Sequence, residues 1–354
     1  MRVVYWTTAC LEPAYEAVSK EVQLLSRRFR SSWVFSVNPH LRLRWSPRER
    51  VVGAHPSLYP ILRLVVPAVE RRFDVNHVYG DMTPWLYHKS LHSRPTIHTI
   101  TQDGAEPQLD FLDRAAMVIT QTPTTRDRLL RLGFDESRLR VWYPGVDLDR
   151  FRPRAPSAVS SRPRLLFATA PRTREEMSSR GVDLLLETAR LDPKQSLRLL
   201  YRPWKRGYTS YDETVRRIGE LDLQNVHLTN QTVHDMAQVY RAHDFTVIPF
   251  TTSDGGKECP NSALESLAAG VPVLCSRACP FAAFIEKEGA GVVFDPHPQG
   301  LLAAVDAGLR VWPNLSRAAR RAASRHLSRD RLLESYARLY DEVTQRTHVA
   351  TPAH

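Results

Sequence analysis

Glu258-Cys259-Pro260-Asn261-Ser262-Ala263-Leu264-Glu265 runs on into Ser266-Leu267-Ala268-Ala269-Gly270-Val271-Pro272-Val273-Leu274. The stretch reads as a loop bearing Pro and Asn, one short helix, a Gly stop and an apolar strand. Ser262 and Glu265 have the spacing of a capping box, which puts the helix start at Ser262. Unpaired backbone N–H groups at such an end carry roughly half a positive charge and suit a phosphate. Gly255 and Gly256 stand just upstream, where a missing side chain lets backbone approach a ligand closely. The expected ligand carries both phosphate and a hydroxyl-rich sugar, with N–H groups serving the one and carboxylates the other.

Working outward, the same alternation of strand and helix fills the second half of the chain. Strands are expected at Leu165–Thr169, Leu197–Tyr201, Val226–Leu228, Phe245–Pro249, Val271–Leu274 and Gly291–Phe294. Apolar residues at helical spacing mark Val182–Leu191, Tyr211–Leu221 and Val233–Ala242. The first half does likewise. It offers strands at Val3–Trp6, Trp33–Val37, Val75–Tyr79, Thr96–Ile100, Met117–Thr120 and Leu139–Tyr143. Its helices are expected over Glu12–Arg30 and Pro123–Leu132, the latter stopped by Gly133. Such alternation predicts α/β architecture with parallel sheets covered on both faces. A chain of 354 residues is long enough for two cores. The expected division is residues 1–155, then 156–328 after a linker rich in Pro, Ser and Ala, then a final helix and tail over 329–354.

The segment Glu258–Leu274 resembles the paired-glutamate region of the retaining glycosyltransferases of family 4. A second likeness lies in Pro144-Gly145-Val146-Asp147 continuing to Phe151 and Pro153. The resemblance implies the GT-B fold: two Rossmann-like domains facing across a cleft, with the last helix returning to the first domain. Glu265 stands at the family's second Glu, and either Lys257 or Glu258 at the first. Glu265 would then accept ribose hydroxyls, Lys257 or Glu258 would meet the donor sugar, and the Gly256, Asn261 and Ser262 backbone would line the donor. Two cations are implied for the diphosphate, and Arg172 and Arg180 are the candidates, with Arg174 competing for the first place. An Arg fork matches phosphate oxygens well.

In the first domain the family's strand-end His is replaced by Thr101 or Gln102. His98 lies earlier on that strand and shares a face with Ile100, which makes it a core or supporting residue before an acceptor contact. Glu12, Tyr15, His98 and Asp103 are the acceptor-side candidates. Glu12 with Glu16 serves equally as acid at a helix start. The resemblance implies a nucleoside-diphosphate sugar as donor substrate, retention of configuration, and neither cofactor nor bound metal. His88 and His92 have the spacing of a helical ligand pair, but Lys89 stands where a zinc hydrolase needs Glu. Asp147 and Asp149 are read as structural. The acceptor is left as a lipid-linked glycan, a small metabolite or a polysaccharide end. A GT-B relative without catalysis, acting as a binding or scaffold subunit, is the alternative function.

Composition narrows the partners. Net charge is +11, from 49 basic and 38 acidic residues. Arginines cluster at 42, 44, 48 and 50, and again at 317, 320, 321, 325, 329 and 331. Such groups suit an anionic membrane surface or are simply solvated. Nucleic acid is not the expected partner, since no helix-turn-helix, aromatic RNA-binding run or zinc module is visible. The 4 Cys are too few for a disulfide framework and are expected as buried thiols. Met1–Trp6 reads as strand, not leader, and the apolar run Leu58–Val69 is too short to span a bilayer. The expectation is a cytoplasmic protein, peripheral to the inner face of a membrane where its arginines are engaged.

Overall fold

The computed structural model describes residues 1–12, 16–39, 41–80, 91, 93–101, 112–153, 162–203 and 208–349. In the first half the strands are β1 (Val3–Thr7), β2 (Trp33–Val37), β3 (Arg44–Ser46), β4 (Val51–Ala54), β5 (Val75–Gly80), β6 (Thr96–Ile100), β7 (Met117–Thr120) and β8 (Leu139–Val141). They form one sheet in the order β3-β4-β2-β1-β5-β6-β7-β8. The second half supplies β9 (Arg164–Phe167), β10 (Ser196–Tyr201), β11 (Val226–Asn230), β12 (Phe245–Ile248), β13 (Val273–Ser276) and β14 (Gly291–Phe294). Their order is β11-β10-β9-β12-β13-β14. Pairing is parallel throughout except between β3 and β4. Central strands such as β1, β5, β6, β7, β12 and β13 are buried at every residue, as a sheet covered on both faces requires.

The chain groups into two compact units, residues 1–143 with 330–354, and residues 144–329. In the first, the helix Arg329–Val349 supplies Leu332, Tyr336, Leu339, Tyr340 and Val343 to a core shared with Val3, Tyr5 and Val75. A buried polar chain fastens it there. The Tyr340 hydroxyl lies 2.6 Å from His77 Nδ1, His77 Nε2 lies 2.8 Å from Thr99 Oγ1, and Thr99 Oγ1 lies 2.9 Å from the Tyr336 hydroxyl. Burial drives His77 well below the ordinary imidazole range, so the ring is neutral and can bond from both nitrogens.

The segment after Tyr143 packs within the second unit. Val146 N–H donates to Leu327 O at 2.8 Å, and Arg329 N–H returns to Val146 O at 3.1 Å. Asp147 accepts from the backbone of Asp149 and Arg150 and pairs with Arg329 at 2.6 Å. Arg320 ties the same segment to Phe151 O at 2.9 Å and to Ala268 O at 2.6 Å.

Several elements go beyond the sequence expectation. The hairpin β3–β4 escapes the sequence pattern because its edge strand is only three residues long. The helix Tyr59–Glu70 was masked by Pro60 and Pro67. Pro60 falls in the first turn, where its missing N–H costs nothing. The helices Ala282–Glu288, Pro298–Arg310 and Trp312–His326 close the second unit.

Candidate functional site

The site is assembled from the C-terminal ends of β9 and β12, where parallel α/β sheets place ligand loops. After β9 the chain turns into the helix Arg174–Ser179, capped by Thr173 Oγ1, which accepts from Glu176 N–H at 3.3 Å. Arg172, just before the cap, and Arg180, just after the last helical residue, each stand four positions from Glu176 and both reach its carboxylate. Arg172 donates to Glu176 through its backbone N–H at 2.7 Å and its Nε at 2.9 Å. Arg180 pairs with Oε2 of the same carboxylate at 3.2 Å, the oxygen that also accepts from the Arg172 N–H, and donates to Ala170 O at 2.7 Å.

The two guanidinium groups differ in depth: the Arg172 side chain is 47% exposed and that of Arg180 17%. Burial pulls the Arg180 guanidinium below its usual value, opposed by Glu176. Burial acts to raise the Glu176 carboxyl, but Arg180 and Arg172 outweigh it and hold it below the usual carboxylate range. Arg174 instead lies 72% exposed and 3.9 Å from Glu213, so Arg172 is the residue that joins Arg180.

The helix after β12 runs from Asn261 to Ala268 with Pro260 at its cap and no side-chain capping bond. The expected capping box is therefore absent. The Ser262 hydroxyl is engaged elsewhere, 3.0 Å from Thr169 Oγ1 at the end of β9, and Glu265 falls in the second turn. Glu265 accepts from the buried Tyr240 hydroxyl at 3.2 Å. Burial, then the Glu265 charge, push Tyr240 far above the ordinary phenol range, so it stays a donor. The Thr169–Ser262 link thus joins the Glu265 helix to the loop that holds the arginine pair.

Three glycines here allow close approach within the protein. Gly181 (φ +73°) lets the helix Val182–Leu191 start against β12, since a Cβ there would stand 1.9 Å from Pro249 O. A Cβ on Gly255 would stand 2.5 Å from Ser179 O, and one on Gly256 would stand 2.9 Å from the Phe250 ring. Thr251 N–H donates to Ser179 O at 2.9 Å. The loops after β9 and β12 are therefore strapped together, and the missing side chains of Gly255 and Gly256 make room for these contacts. Lys257 is half-buried and Glu258 fully buried, which rules out a merely solvated Glu258. Cys259, Cys275 and Cys279 are buried free thiols behind this loop, and Cys10 is a half-buried one.

In the first unit, Glu12 is half-buried, its carbonyl accepting from Glu16 N–H at 3.0 Å. Glu16 accepts from Cys10 N–H at 2.7 Å and from the Ser19 hydroxyl, so it secures the start of the helix Ala17–Arg28. His98 is fully buried in the middle of β6, a core position with no surface for an acceptor. Tyr15 and Asp103, like His88 and His92, lie outside the described residues. Among the described residues no group of three or more His, Cys, Asp and Glu side chains is placed to hold a metal. No described helix is long and apolar enough to cross a membrane. Sequence reading missed Glu176, Thr169 and Tyr240. The Arg172–Glu176–Arg180 spacing was the available signal for the first of them.

Two family models match the chain in succession. "Glycosyltransferase Family 4" covers residues 14–150 and "Glycosyl transferases group 1" covers residues 164–310. A D-inositol 3-phosphate glycosyltransferase of Mycobacterium tuberculosis is 29% identical over 263 residues, which is 68% of this chain and 53% of that protein. The chain thus spans about half the length of the curated relatives it matches. Among solved structures, Anabaena Alr3699/HepE in complex with UDP and glucose aligns with a TM-score of 0.76 at 14% identity, covering 97% of this chain and 100% of that one. A glycosyltransferase from Rickettsia africae aligns at 0.75 with 12% identity, covering 97% and 98%. These likenesses give the fold, that of the GT-B glycosyltransferases. With the two family models together spanning most of its length, the chain belongs to the family 4 glycosyltransferases.

Proposed function

We propose that this chain transfers a sugar from a nucleoside-diphosphate sugar to an acceptor hydroxyl, with retention of configuration and without a bound metal. One observation carries the reading: a deep Arg180 and an open Arg172 share Glu176 at the end of β9, beside the Ser262–Glu265 helix. Cleaving the donor builds negative charge on the leaving diphosphate. Fixed cations aimed at that charge lower the barrier most when they need no reorganisation. Arg180 is pre-set by Ala170 O and Glu176, and Arg172 has the exposure to close onto a phosphate oxygen.

Glu265, oriented by Tyr240, accepts the ribose hydroxyls, and the half-buried Lys257, rather than the fully buried Glu258, meets the donor sugar. Retention without a protein nucleophile leaves the departing phosphate to take the acceptor proton. A second HepE structure, in complex with UDP-glucose, makes that sugar nucleotide the first donor to test, and the relative's name makes an inositol phosphate the first acceptor. The proposed workplace is the cytoplasm.

A binding or scaffold role without turnover is the second reading. It is favoured by Glu176, whose carboxylate already occupies both guanidinium groups. Release of nucleoside diphosphate from a panel of nucleotide sugars, with and without acceptor, separates the two. Turnover by purified protein supports transfer. Donor binding with no release over prolonged incubation supports the scaffold.

A further inference from the structure

The helix Tyr59–Glu70 is apolar on both of its sides. Its inner side, through Leu62, Val66 and Val69, closes over Trp6, Phe35 and Val37 of the first sheet. Its outer side is a stripe of exposed apolar residues: Pro60, Ile61, Leu64, Val65 and Ala68. Leu64 is 82% exposed and Ile61 60%, far beyond what a helix of a water-facing surface shows at so many adjacent positions.

The stripe continues onto the sheet edge. Trp45 of β3 pairs directly with Val52 of β4, so the two side chains share a face, and Val52 lines the apolar crevice beneath this helix. Trp45 is 66% exposed, with Leu43 exposed two residues before it, and its ring packs 5.4 Å from that of Trp33. The edge strand and the helix therefore carry exposed apolar side chains on the same side of the sheet.

Cations border it. The helix leads from β4 to the parallel strand β5, so it runs against the strands, and its end at Arg71 and Arg72 lies at the strand-start edge. Arg48 and Arg50, in the turn before β4, lie at that same edge, and all four are exposed. The nearby acids do not offset them: Glu70 is fully buried and Glu49 is paired with Arg44. An exposed apolar ridge rimmed by arginines fits a surface with an apolar interior and anionic headgroups.

We propose that this face is a docking surface for an anionic lipid bilayer, with Ile61, Leu64 and Trp45 entering the headgroup–acyl boundary and the arginines engaging the headgroups. It lies wholly within the first unit and is independent of the transfer reading.

The test is flotation of the full chain with vesicles of phosphatidylcholine alone or equimolar with phosphatidylglycerol. The wild type is expected to float with anionic vesicles and to be released from them by salt. Ile61→Ser with Leu64→Ser should weaken partitioning by more than about tenfold. Arg48→Gln and Arg72→Gln should each weaken it by about fivefold. Trp45→Ser, on a separate element, decides the matter should the helix variant fail to fold by circular dichroism. The proposal is overturned if the wild type stays with the soluble fraction, floats equally with neutral vesicles, or floats no better than the folded variants. It is overturned equally if sedimentation shows a stable dimer that the Leu64 change dissociates, since a second copy would then be the occupant.

Discussion

Replacing Arg180 by Ala separates what this residue does for the fold from what it does for the reaction. The side chain donates to Ala170 O at 2.7 Å and pairs with Glu176 at 3.2 Å, both partly screened at 17–21% exposure. Breaking a fully buried ion pair costs about 3–5 kcal/mol because it orphans a charge. Here Arg172 remains on Glu176, so the expected loss of stability is smaller, about 1–3 kcal/mol. The kinetic effect is expected to be roughly a hundredfold in turnover, about 2.7 kcal/mol of barrier, as for removal of one fixed donor from a developing charge. Arg172→Ala supplies the control. Its partner pair is open at 47% exposure, so it should cost under about 1 kcal/mol of stability yet slow transfer by a similar factor. The assay is release of nucleoside diphosphate at saturating donor, beside a thermal melt of each variant. Wild-type kcat and KM in folded Arg180→Ala would falsify the assignment. So would a loss of turnover confined to Arg180→Ala and matched by its unfolded fraction.

Glu176→Gln should destabilise the second unit at neutral pH, since it leaves two guanidinium groups facing each other. Because the Glu176 carboxyl is held below its ordinary value of 4.5, its contribution is present above that pH and fades as the pH falls through the depressed native value. Urea melts of wild type and Glu176→Gln should therefore differ at pH 7 and converge well below pH 4.5; a gap constant across the range contradicts the pairing. Gly181→Ala meets both φ +73° and a backbone oxygen 1.9 Å away, so the protein should lose about 3 kcal/mol or more, or fail to accumulate folded. A melting temperature unchanged from wild type speaks against the strapped loops. Ser262→Ala should cost about 1 kcal/mol by removing the bond to Thr169, and Thr169→Ala should add little once Ser262 is gone. Fully additive losses in that double-mutant cycle would mean the two hydroxyls do not act on each other.

Most of the architecture was legible because parallel, doubly covered strands are continuous apolar runs. β2, β6, β7 and β14 coincide with their sequence ranges, as does the helix Val182–Leu191. What escaped was written in residues whose local meaning is overridden by context. Pro60 and Pro67 argue against a helix until burial of Leu62 and Val66 outweighs them. Ser262 looks like a cap by spacing, yet a hydroxyl neighbour far away in sequence claims it. Gly255 and Gly256 also have a packing duty that sequence does not show, since Ser179 O and the Phe250 ring stand where their side chains would be. Glu176 was partly within reach of sequence reading, since Arg180 follows it by four residues, whereas the pairing with Arg172 depends on the turn before the Thr173 cap. Tyr240 was not, because its role depends on a Glu265 contact that only the packing of two helices creates.

The central claim is that the second unit binds the diphosphate of a nucleotide through Arg172, Arg180 and the Glu265 helix. A thermal-shift titration with UDP, GDP and ADP measures it without requiring an acceptor. At a hundred times its dissociation constant, the matching nucleotide should add about 2.7 kcal/mol and raise the melting temperature by roughly 5–10 °C, with the shift abolished in Arg180→Ala. No shift with any nucleotide at millimolar concentration, or an equal shift in the variant, contradicts it.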